Sequence, residues 1–123
     1  MTADGPRLAR AIAATWPPAH VACLGPFVLA DGAGGGNRVS AARLRDAASD
    51  GADVSEADVA GVTARQRSAG QSPLFMVFDW QARLDARLSH MNLVARDETL
   101  ILAGAARRIA AEPPPVTCFD IWP

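Results

Sequence analysis

The sequence contains no lysine and no tyrosine, and it has only two cysteines and two histidines. Without lysine, the chain cannot form a Schiff base with a carbonyl substrate or supply the lysine of a phosphate-binding loop. Cys23 and Cys118 lie near opposite ends of the chain and do not indicate a disulfide framework, so we expect them to be core or strand residues. The histidines and cysteines are not clustered, so we expect no metal site.

Charge of one sign and long apolar runs are also missing. Twelve arginines stand against 13 acidic residues, a formal net charge of -1. We therefore expect binding neither to nucleic acid nor to an anionic membrane. No run of 18 apolar residues is present, and residues 1–10 contain no apolar signal core, so we expect a cytoplasmic protein. With 123 residues, half of them hydrophobic, the chain is expected to form a single domain over residues 1–123.

The first third of the chain predicts a helix followed by a hairpin. Pro6 suits the first turn of a helix over residues 6–15, which the prolines after Trp16 end. Residues 27–30 are predicted to be a strand, and residues 38–44 a second strand. The glycine-rich segment 31–37 between them then reads as a hairpin turn, because glycine adopts positive φ without steric cost.

The middle of the chain predicts a helix and a buried strand. Ser55 is a suitable N-cap for a helix to about residue 69, and its inner face is predicted to carry Val59, Val62 and Gln66. Gly70 is expected to end this helix. Five consecutive apolar residues, 74–78, predict the central strand of the sheet, covered on both faces.

A second amphipathic helix is predicted after residue 78. Asp79 is the expected cap, and an apolar stripe recurs at helical spacing. The stripe consists of Trp80, Leu84, Leu88 and Met91. Asn92 is expected to terminate the helix in the left-handed conformation, ahead of a strand over residues 93–102.

The end of the chain predicts a spacer and one more strand. A short helix over residues 105–111 precedes the proline-rich spacer 112–115, and residues 116–122 form the final predicted strand. The fold class is therefore α/β, in the mixed α+β sense, with a mixed sheet and helices on both faces. An exposed terminal strand would seek a partner. The predicted interface residues are Val116, Phe119, Ile121 and Trp122.

Two segments could bind phosphate, and each has a plainer interpretation. The glycine-rich segment 31–37 joins two predicted strands and lacks the GK[ST] of a phosphate-binding loop. Residues 67–72 approach the [RQ]-x-x-G-x-[GA] pattern of acyl-CoA loops but end in Ser72. They also follow a helix, so they lie at its C-terminal end, where the negative end of the helix dipole disfavours an anion. We predict turns in both places and no cofactor site in this chain.

No catalytic constellation can be assigned from the acids and histidines. Asp31, Asp46, Asp50 and Asp53 fall in predicted loops, and the remaining acids near helix starts are expected to cap them. One of these acids could serve as a general base, but capping is the favoured interpretation. His20 and His90 are expected to be neutral structural residues, with His90 close to a helix C-terminus.

Several segments together resemble the N-terminal region of proteobacterial N-acetyltransferases of the GNAT family. The matching segments are Ala14–Ala19, Leu24–Leu29, Gly34–Ala42, Gly70–Met76, Leu84–Leu88 and Phe119–Pro123. Members of this group are about twice as long, and their second half holds the acyl-CoA loop and the catalytic strands. The resemblance implies that this chain is a degenerate, GNAT-like N-terminal module and that acetyl-CoA binds elsewhere in the full-length family. It carries over no catalytic residue.

Three hypotheses follow. The chain is an N-terminal module that shapes the acceptor side of an acetyltransferase and packs on its catalytic module. Alternatively, it is a stand-alone interaction or dimerisation domain that uses its C-terminal strand. A compact enzyme with an atypical site is the third. The missing acyl-CoA loop favours the first two, because a GNAT enzyme needs those backbone amides to hold its cofactor.

Overall fold

The computed structural model describes residues 4–111, and five helices lie in that range. Their bounds are α1 Gly5–Thr15, α2 Asn37–Ser40, α3 Glu56–Ser68, α4 Ala82–His90 and α5 Ala106–Ala110. The predicted helices over residues 6–15, 56–69 and 105–111 are confirmed as α1, α3 and α5. The predicted spacer 112–115 and terminal strand 116–122 lie outside the described residues.

The strands of this part of the chain form one small sheet. They are β1 His20–Leu24, β2 Phe27–Asp31 and β3 Arg43–Leu44, in the order β1-β2-β3 with both pairs antiparallel. Helices and antiparallel strands together make a mixed α+β fold, as the sequence predicted.

The tight hairpin joins β1 to β2 around Gly25-Pro26. Leu24 pairs with Phe27, so the loop has two residues, and Gly25 has a φ of +54°. A type II′ turn requires such a positive angle at its first central position, where glycine is the favoured residue. Gly25 and Pro26 therefore form the turn of this hairpin.

Residues 38–44 do not form the predicted continuous strand. Residues 37–40 make the single helical turn α2, closed by the Ala41 amide donating to the Asn37 carbonyl, and only Arg43–Leu44 pair with β2. The helical turn buries Val39 while Asn37 and Arg38 stay exposed. The glycine-rich segment thus connects a strand to a helical turn, and the hairpin predicted around it is wrong.

Residues 74–78 are not the central strand that their apolar run predicted. They make one isolated parallel bridge, between Ala42 and Phe75. The Ala42 amide donates to the Leu74 carbonyl at 2.9 Å, and the Met76 amide donates to the Ala42 carbonyl at 2.8 Å. The five side chains are half-buried, so this segment lies at the margin of the core and is not covered on both faces.

Two buried glutamines explain how this segment is held without a regular ladder. Gln66 is 3% exposed; its Nε2 donates to the Leu74 carbonyl at 2.9 Å, and its Oε1 accepts from the Leu74 amide at 3.1 Å. Gln81 is 1% exposed, and its Oε1 accepts from the Phe78 amide at 3.1 Å. Side-chain amides therefore satisfy backbone groups that a neighbouring strand would otherwise pair.

The main core lies between the sheet and two helices. Alternate residues of β2 point to one face of the sheet, and Phe27 and Leu29 on that face are buried. Val59, Val62 and Gln66 of α3 are buried, which confirms the predicted inner face of that helix. The hydrophobic cluster of these elements comprises Phe27, Leu29, Ala42, Leu44, Val54, Val59, Val62, Leu84 and Leu88.

Helix α1 lies on the other side of the sheet. Ala30, which alternates with Leu29 along β2, lines a small cavity of about 20 Å³ together with Ala9 and Ile12 of α1. At the start of α1, a Cβ on Gly5 would lie 2.6 Å from the Trp80 ring. The helix therefore approaches Trp80 more closely than any residue with a side chain would allow.

Helix α4 begins later than predicted, and Asp79 does not cap it. The N-cap position is held by Gln81, whose side chain makes no capping bond and instead binds the Phe78 amide. Leu84 and Leu88 are buried as predicted, while Trp80 and Met91 are half-buried. Asn92 has a φ of +62°, which confirms the predicted left-handed terminator.

The predicted strand over residues 93–102 does not form. Leu93 still packs against the core cluster, but every residue from Val94 to Ala111 is exposed. None of the described residues pairs with this segment as a strand, so the apolar residues that predicted a strand here are not part of the sheet. Among the helices of residues 4–111, none is long and apolar enough to span a bilayer.

Candidate functional site

The histidines lie apart on the surface. His20 is the first residue of β1 and is exposed. His90 ends α4, as predicted, and its Nε2 lies 3.4 Å from the Glu56 Oε1, which Arg87 also approaches at 3.7 Å. This cluster joins the C-terminus of α4 to the first turn of α3. It contains no nucleophile, so it connects two helices and forms no catalytic arrangement.

In both segments with a resemblance to phosphate loops, some of the backbone amides already donate to acceptors of the chain itself. The amides of Ala69, Gly70 and Gln71 donate to carbonyls of the last turns of α3. In the glycine-rich segment, the Gly35 amide donates to the Gly32 carbonyl, and the Ala33 amide donates to the Asp31 carboxylate at 2.9 Å. These amides stabilise a helix end and a turn.

Most of the predicted capping and loop acids bind backbone amides close in sequence. Asp46 and Asp50 accept from the amides of Ala48 and Ala52, each at 2.9 Å. Asp58 accepts from the Ser55 amide, and the Ser55 hydroxyl accepts from the Asp58 amide, which is a capping box. The local interpretation of these carboxylates is therefore confirmed.

The sequence predicted that Cys23 is a core or a strand residue. It lies on the strand β1, but it is exposed and not part of the core. Cys118 lies outside the described residues. Within residues 4–111, no group of three or more histidine, cysteine or acidic side chains is close enough to hold a metal ion.

A groove of about 340 Å³ lies between α1 and the chain around β3. One wall is formed by Ala9, Ala13 and their neighbours on α1, and the opposite wall includes Phe78 and Gln81. Phe78 stacks on Trp80 with ring centroids 4.6 Å apart and planes 5° apart. The Trp80 Nε1 in turn donates to the Ala47 carbonyl at 2.9 Å, so the aromatic wall is fixed in position.

Three arginines border this groove. Arg10 comes from α1, Arg43 from β3 and Arg45 from the residue after β3. The ion pairs of the described residues join other groups: Arg83 to Asp50, Arg87 and His90 to Glu56, and Arg96 to Asp97. Sequence reasoning missed this site because α1 and β3 are distant in sequence. The alternation Arg43-Leu44-Arg45 was the available signal, since in an extended segment it would place two arginines on the same side.

The most exposed of the large apolar side chains lie in the last part of the described chain. Val94 is 87% exposed, Leu100 82%, Leu102 91% and Ile109 68%. We call residues 94–109 the apolar segment. Within the part of the chain that the structure describes, a hydrogen bond from the Asn37 Nδ2 to the Asp97 Oδ2, at 3.0 Å, ties it to the body of the fold.

A second exposed apolar surface is the outer strand of the sheet. All five residues of β1 are exposed, including Val21 at 54% and Leu24 at 41%. Among the described residues, only β2 pairs with β1. The strand carries no lysine, aspartate or glutamate, the charged residues that often protect a sheet edge. The interface residues predicted from sequence, Val116, Phe119, Ile121 and Trp122, lie outside the described residues.

Compared with protein-family models, with curated proteins and with solved structures, the chain matches none of them.

Proposed function

We propose that this chain is an interaction module that packs on a second folded module through its apolar segment. One observation carries the proposal: four large apolar side chains in residues 94–109 are each about two-thirds exposed or more. Several large exposed apolar side chains in one segment of the chain are typical of a surface that another protein covers. A partner that covers this segment would bury these side chains, which the core cluster of the described residues does not include.

The nature of the second module is proposed from the sequence resemblance. A chain similar to the N-terminal module of a GNAT acetyltransferase would pack on the catalytic module that holds acetyl-CoA. In that role it would shape the side of the enzyme where the acceptor substrate enters, in the cytoplasm. The apolar segment supplies a surface for such a contact.

A second candidate function is strand-mediated association. The exposed β1 edge favours it, because an unprotected edge strand can accept another strand through its backbone groups. The predicted terminal strand, residues 116–122, of a second copy of the chain is the proposed occupant.

Sedimentation velocity of the full chain over a range of concentrations distinguishes these surfaces. With its partner module absent, the uncovered apolar segment should drive concentration-dependent self-association. The double substitution Leu100→Ser/Leu102→Ser is expected to abolish it, while Val21→Ser/Leu24→Ser on β1 leaves it unchanged.

Other outcomes of the same experiment have clear meanings. If the β1 variant, or deletion of residues 116–123, abolishes association and the segment variant does not, strand pairing is the function and the primary proposal is wrong. A wild-type chain that stays monomeric at several hundred micromolar would contradict both candidates. Circular dichroism of each variant shows whether it keeps the fold.

A further inference from the structure

We propose that the groove between α1 and β3 binds a small amphipathic anion, a phosphate monoester or carboxylate that carries a short apolar group. This inference goes beyond the proposed interaction function and does not depend on it. The groove lies on the α1 side of the sheet, and none of the residues of the apolar segment lines it.

The anionic part of the ligand is inferred from Arg43. Its side chain is half-buried beneath α1, where it lines both this groove and the smaller cavity beside it. No acceptor in residues 4–111 forms an ion pair with its guanidinium. A guanidinium presents five N–H donors in a planar fork that matches the oxygens of a phosphate or carboxylate.

Two further arginines strengthen this assignment. Arg43 lies in β3 and Arg45 directly after it, and both line the groove, while Leu44 between them belongs to the core cluster. Arg10 borders the groove from α1. Three positive charges around one groove repel one another, and a bound anion would relieve that repulsion.

The apolar part of the ligand is inferred from the walls. Ala9 and Ala13 are one helical turn apart on α1, and their small side chains leave space opposite Phe78. The Phe78 ring cannot turn freely, because it stacks on Trp80. A volume of about 340 Å³ is at the lower end of the range for small-molecule sites. A short alkyl or single-ring group therefore fits better than a nucleotide.

The test is a nitrogen-15 NMR titration of the full chain with hexyl phosphate. Saturable shifts are expected at the amides that line the groove, with hexyl glucoside, which has the same tail and no charge, and inorganic phosphate both binding at least about tenfold more weakly. Arg43→Gln should weaken hexyl phosphate binding about tenfold or more. Arg83→Gln is the matched control, since it removes the same charge from an exposed arginine that pairs with Asp50 outside the groove.

Several results would overturn the proposal. Equal weakening by the two arginine variants would mean a bulk charge effect, and shifts centred on residues 94–109 would place binding on the apolar segment. Equal affinity for hexyl glucoside would remove the role of the anion. Ala13→Leu fills the groove from a helical position and tests it independently if Arg43→Gln does not fold. Unchanged binding in this variant would also contradict the site.

Discussion

At the scale of single residues, two glycines share a backbone conformation but differ in their surroundings. Gly51 has a φ of +90° and Gly70 a φ of +77°, both in the region that favours glycine. A Cβ on Gly51 would lie 2.5 Å from the Leu84 Cβ and 2.7 Å from the Leu84 amide nitrogen. A Cβ on Gly70 would meet nothing within 4 Å. The first glycine permits close packing of a loop on α4, and the second only ends a helix.

This difference predicts unequal effects of the same substitution. Gly70→Ala should cost about 1 kcal/mol of unfolding free energy, the strain of a left-handed alanine alone. Gly51→Ala should cost about 3 kcal/mol, because the new methyl group also forces Asp50 away from Leu84, whose amide donates to the Asp50 carbonyl at 3.0 Å. Urea denaturation of both variants measures the two values. Equal losses would show that the loop moves away from α4 without cost.

Residue roles that depend on near neighbours in sequence were predictable, and those that depend on distant ones were not. Ser55 caps α3 and Asn92 ends α4 through bonds and angles set within a few residues. Arg43 looked like an ordinary residue of a predicted strand. Its half-buried position beside a groove comes from α1, which lines the same groove and lies far earlier in the chain.

At the scale of elements, the segment 74–78 shows why an apolar run does not define a strand. Its composition fits a buried strand, but among residues 4–111 its backbone forms a strand-like bridge only with Ala42. Gln66 and Gln81 bind its two ends from α3 and the start of α4. A central strand needs both buried side chains and a paired backbone. The hydrophobicity of a sequence indicates the burial of its side chains, but it does not show which segment its backbone pairs with.

The Gln66 contact predicts a specific loss of stability. Gln66→Leu replaces the glutamine with an apolar side chain of similar size and so removes the acceptor of the Leu74 amide. The Leu74 carbonyl retains its bond from the Ala42 amide, so one donor is left unsatisfied. We expect a loss of about 2 kcal/mol in the free energy of unfolding by urea.

Arg65→Leu, at the neighbouring exposed position of α3, is the control and should change stability by less than about 0.5 kcal/mol. A Gln66→Leu variant as stable as the wild type would mean that water replaces the side-chain acceptor. The paired contact would then not hold the segment.

At the scale of the whole molecule, the described chain has two parts with different burial. Residues up to Leu93 contain all the buried side chains, and residues from Val94 to Ala111 are exposed throughout. This uncovered apolar segment favours the proposal that the chain packs on another module.

An accessory role of this kind predicts that the chain alone does not hold acetyl-CoA. The amides of residues 69–71, in the segment closest to an acyl-CoA loop, already donate to α3 carbonyls, so they cannot bind a pyrophosphate unless the helix end unwinds. Titration calorimetry of the purified chain with acetyl-CoA is expected to give no saturable heat up to millimolar concentration.

Saturable binding at micromolar concentration would contradict the accessory role and make the chain itself a candidate acyltransferase. The Arg43→Gln variant would then locate the site. If micromolar binding is lost in that variant, the arginine groove holds the cofactor, and the small-anion proposal for the groove must be replaced. If binding persists, the site lies elsewhere, because Arg43 is the half-buried arginine of the groove and its removal would weaken any anion held there.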